Sequence, residues 1–578
     1  MTICLAHTCP SIPTAAPWWR GAVLYQVYPR SFQDQNGDGV GDLAGVLMRL
    51  DYLAGLGIDG LWLGPVFKSP MADFGYDIED YRTVDPLFGS LDDFDRLLAA
   101  AHRLRLRLIV DLVLSHTSEC HPWFRESRGD RTNPRADWYV WADPKPDGTP
   151  PNNWLSVFGG PAWQWEPRRA QYYLHNFLPA QPDLNLHQPA VQQAVLAEAE
   201  FWLRRGVDGC RLDVANYYLH DPRLRDNPPR PPDRPVTPGI PEISPYGRQS
   251  HLYDKSRPEN LVFLGRLRDL FDRYPDKVAV AEIHDDNNVV RAAEYTAGTG
   301  RLHTAYSFAL LGPCLSAALI RDAVEAFAAE PGGGWPAWAF SNHDVPRAVS
   351  RWGGPESPVA FAKLLITLLG CLRGTAFLYQ GEELGLPEAE IPFERLQDPF
   401  GRALWPIYKG RDGCRTPMPW DSGQPYAGFS RTLPWLPIPE SHGRRSIADQ
   451  QADPDSVLVF TRHFLNWRRT DLVLRLGDLI FSDTAEPVLA FTRSLGDRHR
   501  FCAFNLGADP ARVAVPPGFT GLADTGLNNI DPTRGHDPCT LLLNGYGAAI
   551  LGRSDRSDRS DRERPGTTGT GVPTGPDS

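Results

Sequence analysis

The chain has 578 residues, which exceeds one small domain and allows a large buried core. Hydrophobic residues make up 42% and charged residues 22%, as is ordinary for a soluble globular protein. The formal net charge of −11 argues against nucleic acid or an anionic membrane as the main partner, and no apolar run approaches the roughly 20 residues of a transmembrane helix.

The N-terminal segment MTICLAHTCPSIPTAAPWW has no basic stretch followed by a long apolar one, so it does not predict a secretory signal. Nine cysteines are scattered between Cys4 and Cys539, and none of them forms a CxxC pair. An odd number of cysteines without metal-ligand spacing is typical of reduced thiols. We therefore expect a cytoplasmic protein.

Short apolar runs recur along the chain and predict eight buried strands at 24–29, 60–66, 106–114, 206–215, 278–284, 304–311, 337–344 and 375–383. Amphipathic stretches separate these runs, and in one of them Ser90 and Asp93 match the capping box of a helix N-terminus. Strands that alternate with helices in this way predict an α/β fold, a (β/α)8 barrel of the TIM type.

Two segments interrupt the alternation. The stretch rich in Pro, Trp and Asn after the third strand predicts an inserted subdomain, and proline-dense residues 221–260 follow the fourth strand. Beyond the last predicted helix, short strand-like pieces indicate a C-terminal antiparallel β domain, and Arg-Ser-Asp repeats indicate a disordered tail. The predicted division into barrel, inserted subdomain, β domain and tail is 1–116 with 179–470, 117–178, 471–552 and 553–578.

Carboxylates follow three of the predicted strands near the point where each strand ends. Asp213 belongs to the fourth strand, Glu282 to the fifth and Asp344 to the seventh. In a closed barrel these ends converge, so the three side chains would crowd one pocket. Crowding separates the pKa values of carboxyl groups, which leaves one proton donor and one ionised group. Hydrolysis of a glycosidic bond needs such a pair.

Six motifs occur in the order and spacing of a known family: DLVLSH (111–116), QPDLN (181–185), GVDGCRLDVAN (206–216), AEIHDD (281–286), FSNHDVPR (340–347) and GRDGCRTPMPW (410–420). Through them the chain resembles glycoside hydrolase family 13, the α-amylase family, from about Trp18 to Leu551. Within that family it is most similar to the bacterial α-glucosidase and oligo-1,6-glucosidase branch. The resemblance implies a retaining enzyme.

The resemblance also implies catalytic roles. Asp213 aligns with the nucleophile that forms a glucosyl-enzyme intermediate, and Glu282 aligns with the general acid/base. Asp344 aligns with the third carboxylate, which binds sugar hydroxyls and stabilises the transition state. In a retaining enzyme the carboxyl groups of Asp213 and Glu282 should lie about 5–5.5 Å apart.

Further residues align with substrate-binding positions of the family. Arg211 should hold Asp213 ionised through a charge-assisted bond. His116 and His343 align with histidines that bind hydroxyls of the glucose in the −1 subsite, the subsite for the sugar whose bond is cleaved.

The segment GYDIEDY (75–81) aligns with the part of the family that closes the −1 subsite. Tyr76 would stack on the glucose ring, and Asp77 would pair with an arginine of GRDGCR. That pair would bind the non-reducing end and leave no room beyond it, which makes an exo-acting enzyme. Both Arg411 and Arg415 are available, and we favour Arg411.

Signals for the cleaved linkage conflict. Val214 follows the nucleophile, and in this branch Val at that position tends to accompany α-1,6 preference. One β-branched side chain there is worth only ~1–3 kcal/mol of discrimination. Loop 217–260 and segment 381–401 look more like those of broad α-glucosidases, so α-1,4 against α-1,6 preference stays open.

The loop DQNGDGVGDL (34–43) spaces its acidic residues like an EF-hand, but Gly45 occupies the position of the bidentate glutamate and a strand precedes the loop. By resemblance to the branch, we instead expect one structural divalent ion, Ca²⁺ or Mg²⁺, with no organic cofactor. Its expected ligands are Asp34, Asn36, Asp38, Asp42 and the carbonyl of Val40.

The sequence therefore predicts a cytoplasmic exo-α-glucosidase that releases glucose from disaccharides and short oligosaccharides. The alternative is a transglucosylase or isomerase on the same scaffold, of the trehalose synthase or sucrose isomerase type. A non-catalytic relative or a pure carbohydrate-binding module would not need three intact carboxylates in one pocket. The sequence leaves the oligomeric state open.

Overall fold

Eight parallel strands close into a barrel in the computed structural model, which describes residues 16–234, 236–354, 357–522 and 539–554. We label them β1 to β8 in chain order: Val23–Val27, Gly60–Leu63, Arg107–Leu112, Gly209–Leu212, Val278–Ile283, Thr304–Ser307, Pro336–Ala339 and Thr375–Tyr379. Neighbours in sequence are neighbours in the barrel, and β1 closes it by pairing in parallel with β8. All eight predicted strands and the predicted barrel are thus confirmed.

The strands are shorter than the apolar runs that predict them. β4 ends at Leu212, so Asp213 follows it directly and faces the C-terminal opening of the barrel. Val214 has a φ of 35°, and this left-handed conformation turns the chain sharply away from the strand.

The helices pack around the barrel through their apolar faces. Leu91–Arg103 shows the predicted capping box of Ser90 and Asp93 and buries Phe94 and Leu97. The α-helices are Leu43–Met48, Leu50–Gly55, Leu91–Arg103, Pro122–Ser127, Pro189–Arg205, Asn260–Asp272, Asn288–Thr296, Ala317–Ala329, Ala348–Gly353, Val359–Cys371, Pro399–Leu404, Glu440–Gly443, Ile447–Ala452, Val457–Thr470 and Leu472–Leu476.

Two smaller sheets interrupt the barrel. Phe67–Lys68 pairs with Asp80–Val84 after β2, and the segment after β3 forms a three-stranded sheet. The strands of the latter are Trp141–Ala142, Trp163–Glu166 and Gln171–Leu174. They bury tryptophans around Trp154 in a core of their own, which gives the inserted segment a packed body beside the pocket.

The C-terminal antiparallel β domain is also confirmed. Its five-stranded sheet has the order Asp478–Phe481, Val488–Leu495, Arg498–Asn505, Ala548–Ser554 and Thr520–Gly521, and Ala511–Ala514 pairs separately with Thr540–Leu543. The last strand passes the predicted boundary at 552 by two residues, since pairing with Arg498–Asn505 continues to Ser554. Residues 555–578 of the predicted tail lie outside the described residues. Within the described ranges, no helix is long and apolar enough to cross a membrane.

Candidate active site

A pocket opens at the C-terminal ends of the barrel strands, which is where barrel enzymes place their active sites. Its floor is polar and includes Asp213, Glu282, Asp344 and Arg411. Its rim is apolar and comes from the inserted segment, from the loop after β4, from the turn after β6 and from segment 399–408. The apolar rim residues include Val157, Phe158, Phe177, Val214, Ile240, Phe308, Phe400 and Tyr408.

Arg211 connects three buried carboxylates at the floor of the pocket. Its Nη1 lies 2.6 Å from Asp111 Oδ1 and 2.6 Å from Asp213 Oδ1, and its Nη2 pairs with Glu282 Oε1. Burial raises the pKa of Asp213, whereas the Arg211 guanidinium lowers it. One planar cation therefore contacts both members of the predicted acid and nucleophile pair.

A chain of hydrogen bonds orients the aromatic side of the floor. Gln26 Nε2 donates to His343 Nδ1 (2.7 Å), His343 Nε2 donates to the Tyr76 hydroxyl (2.6 Å), and that hydroxyl donates to Asp111 Oδ2 (2.9 Å). The rings of Tyr76 and His343 stack with 5.3 Å between centroids. Burial lowers the pKa of His343 to about 3, so the imidazole is neutral and its tautomer follows from the amide donor.

Glu282 is held by two donors besides Arg211. The Tyr306 hydroxyl donates to Oε1 (2.6 Å), and the backbone N–H of Val214 donates to Oε2 (3.1 Å). The strained residue after Asp213 thus also fixes the carboxyl group of Glu282.

Two arginines of GRDGCR contact Asp344. Arg411 Nη1 lies 3.1 Å and Arg415 Nη2 lies 2.9 Å from Asp344 Oδ1. Burial by itself raises the pKa of Asp344, but His343, Arg411 and Arg415 outweigh it and hold the pKa well below its usual range. The third carboxylate is therefore ionised at neutral pH.

The family described as "Alpha amylase, catalytic domain" matches residues 26–477. A probable α-glucosidase of Rhizobium meliloti (strain 1021) is 54% identical over 522 residues, which cover 90% of this chain and 93% of that protein. The chain belongs to the α-amylase family. It is thus a glycosidase, and its close similarity extends to the bacterial α-glucosidases of that family.

Other relatives cover nearly the whole chain. An oligo-1,6-glucosidase of Heyndrickxia coagulans is 38% identical and covers 92% of this chain and 99% of its own length. The solved structure of an α-glucosyl transfer enzyme is 56% identical, with a TM-score of 0.91, and covers 93% of this chain and 100% of that chain. The trehalulose synthase of Pseudomonas mesoacidophila is 33% identical with a TM-score of 0.83 over the same shares.

The predicted partner of Arg411 was wrong. Asp77 accepts hydrogen bonds from Ser69 Oγ and from the backbone N–H groups of Ala72 and Asp73, all in the segment that directly precedes it. Asp73 instead contacts Arg411, with Nη2 2.8 Å from Oδ1. The turn of residues 72–77 wraps around the Asp77 carboxylate, so this side chain points into the turn and Asp73 points into the pocket.

The remaining predicted sugar-binding residues lie where the motifs implied. Tyr76, His116 and Val214 line the pocket together with Asp213, Glu282, Asp344 and Arg411, and Arg211 and His343 lie just beneath its floor. His116 receives support from Ser115 Oγ at 2.9 Å, and burial lowers its pKa to about 4. Arg415 is not among the lining residues, in agreement with the preference for Arg411.

The acidic loop after β1 is closed by its own hydrogen bonds. Asp34 accepts from the N–H groups of Gly37 and Gly39, Asp38 from that of Val40, and Asp42 from those of Asn36 and Gly45. Among the described residues, no three His, Cys, Asp or Glu side chains approach closely enough to hold a metal ion. The oxygen atoms of the loop are the ligands that Ca²⁺ or Mg²⁺ prefers. Carboxylates that accept N–H bonds also keep lone pairs for a cation. The metal site therefore stays a prediction.

Sequence reasoning missed three residues that shape the site. Asp398 is fully buried, and its carboxylate accepts hydrogen bonds from Arg411 Nη2 (2.8 Å) and from the Arg411 backbone N–H (2.8 Å). Tyr306 lies one position before the end of β6, and its hydroxyl donates to Glu282. Asp73, three residues before Tyr76, carried the acidic side chain that an arginine partner requires.

Proposed function

We propose that this enzyme is a retaining, exo-acting α-glucosidase that hydrolyses terminal α-glucosidic bonds of disaccharides and short oligosaccharides. The observation that carries the proposal is the contact of one buried arginine with Asp213 and Glu282 at the floor of a pocket. The pocket has an ion pair, Asp73–Arg411, beside the third carboxylate.

Asp213 and Glu282 carry out the two steps of this mechanism. An Asp213 oxygen attacks C1 of the glucose as the bond from C1 to the leaving oxygen breaks, and Glu282 gives that oxygen its proton. Water then attacks C1 while Glu282 takes a proton from it, the ester bond to Asp213 breaks, and glucose leaves with its original α configuration. Arg211 stabilises the negative charge on Asp213 before and after the ester exists.

The ion pair Asp73–Arg411 supports exo action. Both side chains are buried, and Phe158 covers the guanidinium at 4.9 Å. Hydroxyls at a chain end can bond to these groups, and a further sugar beyond that end would collide with them. A chain end is therefore the part of a glucan that this floor accepts.

A second candidate is glucosyl transfer or isomerisation, because the rim around the +1 position, the position of the leaving sugar, is apolar. Apolar walls disfavour water at the acceptor position, and a relative with 56% identity is an α-glucosyl transfer enzyme. The same intermediate on Asp213 would then react with a hydroxyl of a sugar or another acceptor.

The test is the initial rate of glucose release from maltose and isomaltose, with Asp213→Asn as the blank. Asp208→Asn is the matched control, because Asp208 is a buried acid at the opposite end of β4. The thermal unfolding of both variants is recorded in parallel. Loss of release in Asp213→Asn alone supports the hydrolase. Consumption of either sugar, or of sucrose or trehalose, into new glucosides without free glucose would support the second candidate instead.

We further propose a cytoplasmic location. Cys120, Cys210, Cys314, Cys371, Cys414 and Cys502 are free thiols, as expected in a reducing compartment. Alkylation of intact protein before and after reduction tests this: added thiol reactivity after reduction would contradict it.

A further inference from the structure

The loop after β4 contributes one side chain to the rim directly beside the nucleophile strand. Ile240 packs in one apolar cluster with Val157 of the inserted segment and Val214, which follows Asp213. Its backbone N–H donates to Thr237 O (3.1 Å), which closes the tight turn 237–240. Residues from three separate parts of the chain thus form one side of the pocket mouth.

Two hydrogen bonds fasten this turn to the residues that follow β5, and we call them the latch. The Thr237 hydroxyl donates to Asp286 Oδ1, and His284 Nε2 donates to Pro238 O (3.2 Å). Between them, Gly239 has a φ of 87° and approaches Phe308 so closely that a Cβ would lie 3.0 Å from a ring carbon. The turn is therefore held against the barrel rather than free above it.

A buried cation lies against His284 and its neighbour Tyr217. Lys255 is 1% exposed, and its ammonium group donates to the Tyr217 hydroxyl oxygen (3.1 Å) and to His284 O (3.1 Å). Because the Pro238 carbonyl oxygen can only accept, the ring proton of His284 lies on Nε2. Nδ1 then accepts from the Tyr217 hydroxyl (3.2 Å), whose oxygen also lies 2.8 Å from that of Tyr246. Burial lowers the pKa of His284 well below its usual value, so this neutral tautomer persists at neutral pH.

We propose that Ile240, held in place by the latch, is a specificity-determining residue that selects the glycosidic linkage at the pocket mouth. The proposal rests on the proposed function, because it concerns the leaving side of the same substrate. It adds to Val214 a second side chain, from a loop 26 positions along the chain, that contacts the same apolar cluster.

The expected direction follows from the geometry of the two linkages. An α-1,4 bond joins two sugar rings through one oxygen, whereas an α-1,6 bond adds a methylene that moves the leaving ring outward and lets it swivel. A side chain at the mouth therefore hinders maltose more than isomaltose. Loss of Ile240 bulk, or release of its turn, should favour maltose.

The experiment measures kcat/KM for consumption of maltose and isomaltose in full-length Ile240→Ala, Ile240→Val and Thr237→Val. Thr149→Val is the matched control, since its hydroxyl donates to Asp147 Oδ1 (2.7 Å) at an exposed turn of the inserted segment. In Ile240→Ala the ratio of isomaltose to maltose should fall about 10-fold, the lower end for a removed methylene contact. In Thr237→Val it should fall about threefold to fivefold, as for one lost hydrogen bond.

The inhibition constant for glucose serves as the second readout, because glucose fills the −1 subsite and does not reach Ile240. It should match the wild-type value in all four variants, whereas general damage to the site would raise it. Ile240→Val removes one methyl group and should shift the ratio in the same direction if Ile240→Ala does not fold.

An unchanged ratio in the folded Ile240 variants would overturn the proposal. A ratio in Thr237→Val equal to that of Thr149→Val would also overturn it, because Ile240 would then not depend on the latch. Failure of the proposed function gives a different result, because the wild type would then consume the sugars without releasing glucose. The rates of consumption would still give the ratio of kcat/KM for isomaltose to that for maltose, so the role of Ile240 would still be tested. A wild type that consumes neither sugar would overturn both.

Discussion

The ion pair between Asp73 and Arg411 gives the sharpest test of the site, because the sequence and the structure name different acids for it. Asp73→Asn keeps the size of the side chain and removes its charge. Arg411 remains in place through Asp398, so the variant should keep the floor intact. What it loses is one buried charge-assisted bond of 2.8 Å and an anionic acceptor for sugar hydroxyls.

Hydrogen bonds to charged groups contribute about 1.5–3 kcal/mol, which corresponds to a factor of roughly 10 to 150 in affinity. We therefore expect kcat/KM for maltose to fall by about that factor in Asp73→Asn. Most of the loss should appear as a higher KM, because we propose that the pair binds the sugar end that does not react. The inhibition constant for glucose should rise in parallel.

Asp77→Asn is the comparison that separates the two assignments. Asp77 bonds only to the segment that directly precedes it among the contacts described above, so its loss should lower thermal stability more than sugar affinity. Asp80→Asn, at a half-buried acid of the same segment, controls for the change of charge. A larger rise of KM in Asp77→Asn than in Asp73→Asn, at matched stability, would refute the reasoning.

Three further outcomes are expected. Burial raises the pKa of Asp183 to about 8, so between the unfolded pKa of about 3.9 and pH 8 the folded state binds one proton more than the unfolded state. The contribution of this site to the free energy of unfolding therefore falls as pH rises toward 8, by up to about 1.4 kcal/mol per pH unit. Urea unfolding at pH 5 to 8 should show a shallower decline of stability in Asp183→Asn than in the wild type, and parallel curves would contradict this. If the loop of Asp34 holds a divalent ion, chelation should lower the unfolding temperature, and added Ca²⁺ or Mg²⁺ should restore it. At a hundredfold excess over Kd the ion should stabilise the fold by about 2.7 kcal/mol. Asp34→Asn should remove this response, and an equal response in that variant would place the ion elsewhere. Arg211→Met should destabilise the fold by about 3–5 kcal/mol because it leaves buried carboxylates without their cation. Denaturant unfolding should show a smaller loss of stability near pH 4, where those carboxyls can protonate, than at pH 7.

The sequence by itself determined the barrel and the three carboxylates that meet in its pocket, because both depend on local patterns. Each buried strand appears as a continuous apolar run, and each acid lies at the C-terminal end of its run, so the closure of the barrel brings Asp213, Glu282 and Asp344 together. The short family motifs then supplied the neighbours Arg211 and His343. No long-range information was needed for these assignments.

Only the tertiary structure decided which acid meets Arg411 and what lies at the pocket mouth. Asp73 and Asp77 share one turn, and the hydrogen bonds of that turn direct one carboxylate inward and leave the other for an arginine 338 positions away. Likewise, nothing in the proline-dense loop marks Ile240 locally, because its place depends on Asp286, His284 and a buried lysine. Contacts between distant segments depend on the path of the whole chain, which local periodicity does not encode.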